Sequence, residues 1–514
     1  MTSMTTTLAD LVFASSWARD EVIVFAGDDQ VTRAELESQA TAVADALLEL
    51  GVERGTPVGV MLPNGSSVLA ALFGVWRAGA VYVPLNPRLT EGEVATIREA
   101  VEPGAIVTVD AHGGRFTDLP VVLVDDLCED GDLRVRAGAV GAKRLGDDIA
   151  LVQFTSGTTG KPKPVLLRHD GVLELIDGVV AKLRGGSSGS SPSGSSSSSG
   201  GAPARAAMPN LIPVSLSLWA GIYNVLFAFS IGAPVVVMDG FDPKTFARLV
   251  ARFGIKSTVL PPAAMAMLAD DESIATLEPL RFVRSITAPL SPLQARRFKD
   301  RFGIAVLNSY GQTEIGGEIV GWNAADSREH GDDKLGSVGR PHRGVEVRTV
   351  DERGHDVEAG ESGELWFRTP ALSAGYADGS DLGDRLSVDG FFRTGDIGRV
   401  DAEGFVWIEG RASDMVNRGG LKVHPGEVEE VLRLSPAVAD AAVVGVPDER
   451  LGEVPWAFLV VVDGAVAPEA ADLEVLCRDH LAPYKVPVGF TVVAELPRNE
   501  VGKVLKRELV TRPV

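Results

Sequence analysis

Apolar and polar positions follow two different periods along the first third of the chain. The segment from Thr32 to Glu35 has the pattern of a capping box, and apolar residues at helical spacing behind it predict a helix that runs to Gly51: Leu36, Ala40, Val43, Ala44 and Leu47. Short runs rich in β-branched residues predict strands at 58–62, 81–85 and 106–109, with helices at 67–78 and 91–101. Strands that alternate with helices predict an α/β fold with largely parallel sheets.

The pattern continues in the middle of the chain and then changes. Helices are predicted at 243–253 and 292–302, and strands at 257–260 and 305–307. Short strands separated by turns then predict a small antiparallel region at 345–350, 363–368, 398–400 and 405–409. After Arg411 an α+β unit starts over, with elements at 425–434, 441–446, 456–462, 468–480 and 490–493. We therefore predict a large N-terminal domain over 1–410, made of layered α/β subdomains plus the β region, and a C-terminal domain over 411–514.

Two stretches break the alternation. Residues 185–201 consist of Gly and Ser with a single Pro, so they have nothing to bury and predict a disordered surface loop inside the N-terminal domain; a domain linker is the alternative. Residues 211–238 carry no charge but are interrupted by polar and helix-breaking residues, namely Pro213, Asn224, Gly232 and Pro234. We interpret them as a buried helix followed by a strand at 233–238 and expect no membrane span.

Composition narrows the class of partner. The net charge of −21 argues against a general affinity for nucleic acid or anionic membranes, although a local basic pocket for an anionic cofactor stays open. Cys128 and Cys477 form no disulfide or zinc pattern and are expected to be buried thiols in a reducing compartment. The seven histidines lack metal-binding spacing, so no structural transition metal is predicted. The N-terminus has no secretory pattern, and we expect a cytoplasmic protein without integral membrane association.

A Gly-rich loop follows the apolar run 148–154, which predicts a buried strand. The loop combines close backbone approach, hydroxyl donors and a positive charge in the residues Thr155, Ser156, Gly157, Thr158, Thr159, Gly160 and Lys161. It is no Walker loop, because two residues separate its glycines and Pro162 follows Lys161. The chemistry that fits is binding of a nucleotide triphosphate, with any magnesium ligand supplied elsewhere. A flexible surface loop is the alternative.

Three later stretches add further candidate groups. In the segment 308–314, predicted as a tight turn after a strand, Tyr310 can stack on a base, Thr313 can bond a phosphate and Glu314 can bind magnesium. Asp396 follows a glycine and can accept both hydroxyls of a ribose; an Asp that closes a turn is the alternative. Lys503 lies in a Pro-Arg-Asn-x-x-Gly-Lys pattern near the C-terminus, where a single lysine is ordinarily a solvated charge.

Taken in this order, the motifs resemble those of the adenylate-forming superfamily, which includes acyl-CoA synthetases, peptide-synthetase adenylation domains and luciferases. The resemblance spans residues 154–503. It implies catalytic roles for Lys503, Glu314 and Thr158, magnesium at Glu314, and binding of ATP by residues of four motifs: Thr155, Ser156, Gly157, Thr159, Gly160, Lys161, Asn308, Ser309, Tyr310, Gly311, Gln312, Thr313, Asp396 and Arg411.

The same resemblance implies CoA as a further cofactor and a mobile C-terminal domain. Gly419 and Gly420 would border the channel of the thiol acceptor, and Arg88 would contact the CoA 3′-phosphate or be simply solvated. The hinge position is Ser413, where relatives usually have Asp or Lys, and this departure leaves the energetics of the hinge open.

The carboxylic acid is less closely defined. Residues 213–221 contain no acidic side chain that could hold an α-amino group, and the family's Gly before Ala-Pro-Leu is Thr287 here. We predict a hydrophobic or aryl acid in a pocket formed by Leu216, Trp219, Tyr223, Thr287 and Ala288; a Trp219 that merely packs in the core is equally consistent. The prediction is an AMP-forming acyl-CoA synthetase. The alternatives are a ligase that loads the phosphopantetheine of an acyl carrier protein and a nucleotide-binding scaffold without turnover.

Overall fold

The computed structural model describes residues 7–125, 127, 133–138, 143–155, 162–185, 208–288, 290, 292–331, 333, 334, 336–498 and 503–510. The helices in this part of the chain are α1 Asp10–Phe13, α2 Arg33–Glu49, α3 Ser66–Arg77, α4 Glu91–Val101, α5 Asp110–Gly113, α6 His169–Gly185, α7 Trp219–Ser230, α8 Pro243–Phe253, α9 Pro262–Asp270, α10 Pro292–Phe302, α11 Ala324–His330, α12 Pro425–Leu432, α13 Ala470–His480 and α14 Lys506–Val510.

The strands of the same residues are β1 Val22–Ala26, β2 Asp29–Thr32, β3 Pro57–Met61, β4 Val81–Pro84, β5 Ala105–Thr108, β6 Val121–Leu123, β7 Arg134–Arg136, β8 Ile149–Thr155, β9 Lys163–Arg168, β10 Asn210–Ile212, β11 Val235–Val237, β12 Ser257–Leu260, β13 Phe282–Ser285, β14 Ala305–Asn308, β15 Tyr310–Gln312, β16 Gly317–Gly321, β17 Arg340–Pro341, β18 Glu346–Val350, β19 Gly363–Arg368, β20 Phe392–Val400, β21 Val406–Arg411, β22 Val416–Arg418, β23 Leu421–Val423, β24 Val438–Asp448, β25 Gly452–Val461 and β26 Gly489–Val492.

The largest sheet has the strand order β7-β6-β5-β3-β4-β8-β9. Its central strands are parallel, whereas β7 and β9 run antiparallel at the two edges. Strands β3, β4 and β5 are buried along their whole length, as expected for strands that are covered on both faces. The predicted α/β fold with largely parallel sheets is confirmed, and helix α2 begins with the predicted capping box at Thr32.

A three-stranded parallel sheet forms the edge at which the candidate site lies. Strands β12, β13 and β14 are parallel, and Ser285 at the end of β13 is in register with Asn308 at the end of β14. The Ser309 hydroxyl donates to the Ser285 carbonyl at 2.8 Å, which ties together the chain segments that leave the two strands. Carboxyl ends of neighbouring parallel strands are where α/β sheets bind ligands.

The uncharged segment 211–238 forms the end of strand β10, the buried helix α7 and strand β11. The predicted helix and final strand are therefore found, but the sequence prediction missed β10. The three-residue strand was hidden because a short apolar run next to Pro213 carries no distinct period. No helix in the described ranges is long and apolar enough to cross a bilayer.

The later part of the chain forms two antiparallel-rich sheets. Strands β18 to β21 form the small β region, in which the strand predicted at 398–400 is the end of the longer strand β20. Strands β22 to β26 form the next sheet, and its hydrophobic clusters draw on residues from Val416 to Leu509 alone. This separate core agrees with a C-terminal unit, while the boundary at residues 410 and 411 stays a prediction.

Two sequence predictions concern residues that the structure does not describe. The Gly- and Ser-rich stretch 185–201 lies outside the described residues except for Gly185, the last residue of α6. Cys128 also lies outside them, whereas Cys477 is a buried free thiol, as predicted.

Candidate active site

Asp396 in strand β20 is the point at which three of the predicted motifs meet. Its carboxylate accepts hydrogen bonds from the Tyr310 hydroxyl and from the Gln312 side-chain amide, both at 2.6 Å. Arg411, directly opposite on β21, places its Nε 3.0 Å from the other carboxylate oxygen. Because Asp396 is only 4% exposed, the guanidinium compensates a buried negative charge. A carboxylate held in this way is a fixed acceptor that can receive ribose hydroxyls.

The Tyr310 hydroxyl is a permanent donor in this arrangement. Burial raises the pKa of Tyr310 well above its ordinary value, and the negative charge of Asp396 raises it further. The phenol therefore stays protonated and donates to Asp396, while its ring packs 5.5 Å from the ring of Phe367. Stacking of an adenine on Tyr310 stays a prediction.

The segment 308–314 is not the tight turn that the sequence predicted. Asn308 ends β14, the next residues form strand β15 antiparallel to β16, and Thr313–Ile315 form a 3-10 turn. The extra strand depends on Gly311, since an added Cβ would lie 1.6 Å from the Gly317 carbonyl oxygen. The 3-10 turn places Glu314 immediately after the strand that carries the two donors to Asp396.

Glu314 is buried and paired with an arginine that the sequence did not indicate. The Arg385 guanidinium lies 3.1 Å from Glu314 Oε1 and also donates to the Gln312 side-chain carbonyl at 3.3 Å. It stacks 4.3 Å from the Phe392 ring centroid. Arg385 belongs to an irregular segment between β19 and β20 that has no motif of its own, so no pattern in the sequence pointed to it.

A single carboxylate fits the magnesium ion that the resemblance implies. Mg²⁺ usually takes one or two protein carboxylates and completes its shell with phosphate and water oxygens. Glu314 offers such a group, and Arg385 balances its charge. In the described ranges no group of three or more His, Cys, Asp or Glu side chains is placed to hold a metal by itself.

The described residues that flank the predicted phosphate loop, Thr155 and Lys163, pair with each other across β8 and β9, and β9 packs against the turn that holds Glu314. Thr155 ends β8, and its buried hydroxyl has no hydrogen-bond partner among the described residues. Lys163 begins β9 with its ammonium 5.0 Å from the Tyr376 ring centroid. Burial raises the pKa of Tyr376, and the nearby Glu314 charge adds to the shift. The loop residues themselves, Ser156, Gly157, Thr158, Thr159, Gly160 and Lys161, lie outside the described residues.

Lys503 reaches the Asp396 group from the far end of the sequence. Its partly buried position lowers the pKa of Lys503, and the charge of Arg411 lowers it further, while Asp414 and Asp396 oppose the shift. The segment is fastened to helix α12 of the C-terminal unit, since Lys506 Nζ lies 2.6 Å from Glu429 Oε1. The structure thus brings Lys503 next to Asp396 and Arg411.

Other predicted residues occupy exposed turns. Arg88 is exposed, and its backbone N–H donates to the Asn86 side chain at 3.0 Å. Gly419 and Gly420 form the turn between β22 and β23 with φ of +61° and +88°, a conformation that favours glycine at both positions. The hydrogen bonds described for these three residues are made to Asn86, Leu451 and Asn417, not to Asp396 or Glu314. Their roles toward CoA stay predictions.

The predicted acid pocket begins beside Glu314. The Trp219 indole N–H donates to the Gly316 carbonyl at 2.9 Å, which fixes the start of α7 against the turn that holds Glu314. Leu216 and Tyr223 are buried, and Ala288 is half-buried. Thr287 is exposed and has φ of +73°, an unusual conformation for a β-branched residue at a position where the family has glycine.

Next to this pocket lies a group of buried and half-buried side chains, of which the sequence had indicated only Tyr223. We call it the polar cluster: Tyr223, Asn224, Arg284, Glu318 and His342. Arg284 NH1 lies 3.3 Å from Glu318 Oε2, and its NH2 donates to the Asn224 side-chain oxygen Oδ1 at 3.2 Å. Burial by itself raises the pKa of Glu318, but Arg284 and His342 outweigh it and hold the pKa below its ordinary value. The Glu318 carboxylate is therefore ionised.

Residues 13–377 match the family model of AMP-binding enzymes, and residues 427–503 match the C-terminal domain of the same enzymes. The chain belongs to the adenylate-forming superfamily. An indoleacetate–CoA ligase of Aromatoleum aromaticum is 31% identical over 93% of both chains. A feruloyl-CoA synthase of an Amycolatopsis species is 30% identical over 95% of this chain and 94% of the relative.

The fold agrees with that of solved members of the superfamily. The crystal structure of ATP-bound MatB from Rhodopseudomonas palustris superposes with a TM-score of 0.84, at 26% identity and 98% coverage of both chains. This adenylate-forming enzyme therefore shares the architecture of a solved nucleotide-binding relative along nearly its whole length.

Proposed function

We propose that this member of the superfamily is an AMP-forming acyl-CoA ligase that activates a hydrophobic or aryl carboxylic acid as its acyl-adenylate. The observation that carries the proposal is the position of Lys503 beside the Asp396–Arg411 pair. A cation, a ribose-binding carboxylate and the magnesium candidate Glu314 thus come together from motifs far apart in sequence. The names of the indoleacetate and feruloyl relatives support an aromatic acid.

The first half-reaction joins two anions, and the residues of this chain provide the positive potential that it needs. A carboxylate oxygen attacks the α-phosphorus of ATP while the bond to pyrophosphate breaks, so electrostatic stabilisation matters more than proton transfer. Lys503 bridges the carboxylate and the α-phosphate. Asp396 holds the ribose hydroxyls, and Tyr310 and Gln312 fix that carboxylate in place.

Magnesium, when bound, offsets the negative charge of the phosphates. Glu314 is the residue that would hold it, because its carboxylate follows directly on the strand that orients Asp396. The loop 155–161 would cover the β- and γ-phosphates, since strand β9, which follows it and pairs with Thr155, packs against the turn that holds Glu314.

The second half-reaction needs Lys503 to leave. The sulfur of a thiol attacks the acyl carbon, and AMP departs with the electrons of the acyl–oxygen bond. Ser413 lies in the exposed 3-10 turn Ala412–Asp414 between the two late sheets, with its hydroxyl 3.0 Å from Asp414. A few turn residues of this kind can absorb a domain rotation, so we assign the hinge to this position.

Pyrophosphate release with ATP, Mg²⁺ and a panel of aliphatic, aryl and amino acids tests the proposal. We expect release with aryl or hydrophobic acids, and acyl-CoA as product when CoA is added. If the thioester forms only on the phosphopantetheine of a carrier protein, the acceptor is that carrier protein and not CoA. If no acid in the panel gives pyrophosphate while ATP still binds, the chain is a nucleotide-binding scaffold and the proposal is wrong.

A further inference from the structure

The polar cluster would be energetically unfavourable as the lining of a pocket for a purely apolar acid. The Tyr223 hydroxyl is buried, with the residue 3% exposed, and has no hydrogen-bond partner among the described residues. Leaving a buried hydroxyl unsatisfied costs about 1–3 kcal/mol. His342 Nε2 lies 3.5 Å from Glu318 Oε1, longer than a good hydrogen bond, and Nδ1 has no partner within the described ranges. These groups therefore have unused hydrogen-bonding capacity.

The cluster lies farther along the face of helix α7 that begins at Trp219. Trp219, Tyr223 and Phe227 recur every four residues and so share one face of α7. Trp219 is bonded to Gly316 beside Glu314, and its ring centroid lies 5.8 Å from that of Tyr223. The Arg284 guanidinium lies 5.5 Å from the Phe227 ring centroid. Four helical residues advance about 6 Å, so the cluster begins roughly one helical turn beyond the indole.

The cluster is not fully sealed from solvent. The side chains of Arg284 and Glu318 keep 20% and 12% of their surface exposed, although they form an ion pair. Arg284 precedes the exposed Thr287 on the same segment, at the carboxyl end of β13. Tyr223 thus connects the cluster to Trp219, and Arg284 connects it to Thr287, the two residues at which we place the entrance for the acid.

We propose, on the basis of the function proposed above, that the acid is an aryl acid whose ring carries a neutral hydrogen-bond donor, a hydroxyl or an N–H, at the end remote from its carboxylate. Tyr223 and Glu318 receive this group. A ligand hydroxyl donates its hydrogen to the Glu318 carboxylate and accepts one from the Tyr223 hydroxyl, whereas a ligand N–H donates to one of the two.

The charges of the cluster exclude the other common classes of substituent. Arg284 and Glu318 already compensate each other, so a second carboxylate or a ring ammonium would add an unbalanced charge to the site. An unsubstituted ring would leave the Tyr223 hydroxyl without a partner. A neutral donor is the substituent that satisfies the cluster without adding a buried charge.

Matched acids test the inference directly. We would compare phenylacetate, 3-phenylpropanoate and cinnamate with their 4-hydroxy and 4-carboxy analogues, by pyrophosphate release and by the shift in melting temperature with a non-hydrolysable ATP analogue. We expect the hydroxy acid of at least one pair to be preferred by about 5- to 150-fold, which corresponds to one satisfied buried group of 1–3 kcal/mol. Equal use of both members of every pair, or preference for the bare or the 4-carboxy acids, would overturn the inference.

Tyr223→Phe separates recognition from packing. The phenyl ring preserves the contact with Trp219, and loss of an unsatisfied hydroxyl should not lower the melting temperature. We expect the preference for the hydroxy acid to fall by about 5-fold or more, mainly through weaker use of that acid. Tyr82→Phe is the matched control, since Tyr82 is equally buried but lies in strand β4 within the N-terminal core. It should leave the preference unchanged.

The two proposals fail in different ways. If Tyr223→Phe leaves the preference unchanged while pyrophosphate is still released, the assignment of the polar cluster is wrong and the ligase assignment stands. If no acid gives turnover, the thermal-shift series still decides, because a hydroxy acid that stabilises the wild type more than the bare acid supports the cluster as a binding site. Equal shifts for both acids would contradict it.

Discussion

The candidate site has two sides that are built in different ways. On the nucleotide side, Tyr310, Gln312 and Arg411 all contact one carboxylate, that of Asp396. Each of these residues belongs to a motif that is visible in the sequence. On the acid side, the residues of the polar cluster lie on α7, β13, β16 and the turn after β17. None of them belongs to a motif that can be recognised in the sequence.

This difference separates the chemistry that all acids share from the recognition of one acid. Adenylation of any carboxylate needs the same ribose acceptor, magnesium ligand and lysine, so variants on the nucleotide side should affect all acids by the same factor. Variants on the acid side should change stability or the ranking of acids and leave ATP largely unaffected. Four measurements can break or sharpen this division.

The largest expected effect is on stability, from the single variant Arg284→Met. It leaves the Glu318 carboxylate without its partner cation. Removing one partner of a buried ion pair typically costs about 3–5 kcal/mol. Urea denaturation should show this loss in the free energy of unfolding. The double variant Arg284→Met/Glu318→Leu should recover most of it, because both charges are gone. A double variant as unstable as the single one would mean that the pair does not set the cost.

Lys503→Ala should have the next largest effect, on the rate of adenylation. Loss of one well-placed electrostatic group typically costs about 10²- to 10³-fold. Pyrophosphate release should fall by the same factor for every acid, whereas conversion of a supplied acyl-adenylate to the thioester should be largely spared. The exposed lysine of helix α10 provides the control, Lys299→Ala. Equal loss in both half-reactions would contradict an exchange of Lys503 for the acceptor channel.

Thr287→Gly should have a smaller effect, on the ranking of acids. The side chain adds bulk at a position where relatives have a bare backbone, and such differences change discrimination by about 10- to 200-fold. The kcat/KM for bulky acids should rise relative to small ones, with the KM for ATP little altered. Thr287→Ala is the comparison, because it removes bulk without glycine's access to the left-handed φ of +73°. A change in the KM for ATP alone would place Thr287 on the nucleotide side.

The smallest expected effect is a pH dependence of stability on the acid side. Arg284 and His342 hold the pKa of Glu318 below its ordinary value of 4.5, so the pair stabilises the protein above that pH. The contribution is lost progressively as the pH falls from 4.5 towards the folded-state pKa of about 2. Between pH 5 and pH 3, the melting temperature of the wild type should therefore fall more than that of Arg284→Met/Glu318→Leu. Parallel curves would contradict an ionised Glu318.

Regular elements with their own local signals could be predicted well from the sequence. Helix α8 and strand β12 have the predicted bounds, and α2 has its capping box, because caps, proline at the first turn and apolar spacing act within a few residues. Strand β13 was missed, since a four-residue run with Arg284 in its middle shows no clear period. Strand β15 was missed because its partner is needed to make it a strand.

The sequence by itself determined the family, the layered α/β architecture and the motif residues that gather at Asp396. Those residues can be recognised in the sequence because each motif must keep a short stretch of backbone in one conformation around a ligand that all members of the superfamily share. Tertiary structure decided the rest: that Arg385 pairs with Glu314, that Arg284 pairs with Glu318, and that the Tyr223 hydroxyl is buried without a partner. These pairings join residues far apart in the chain, and their energies depend on burial and distance, which no local pattern of residues encodes.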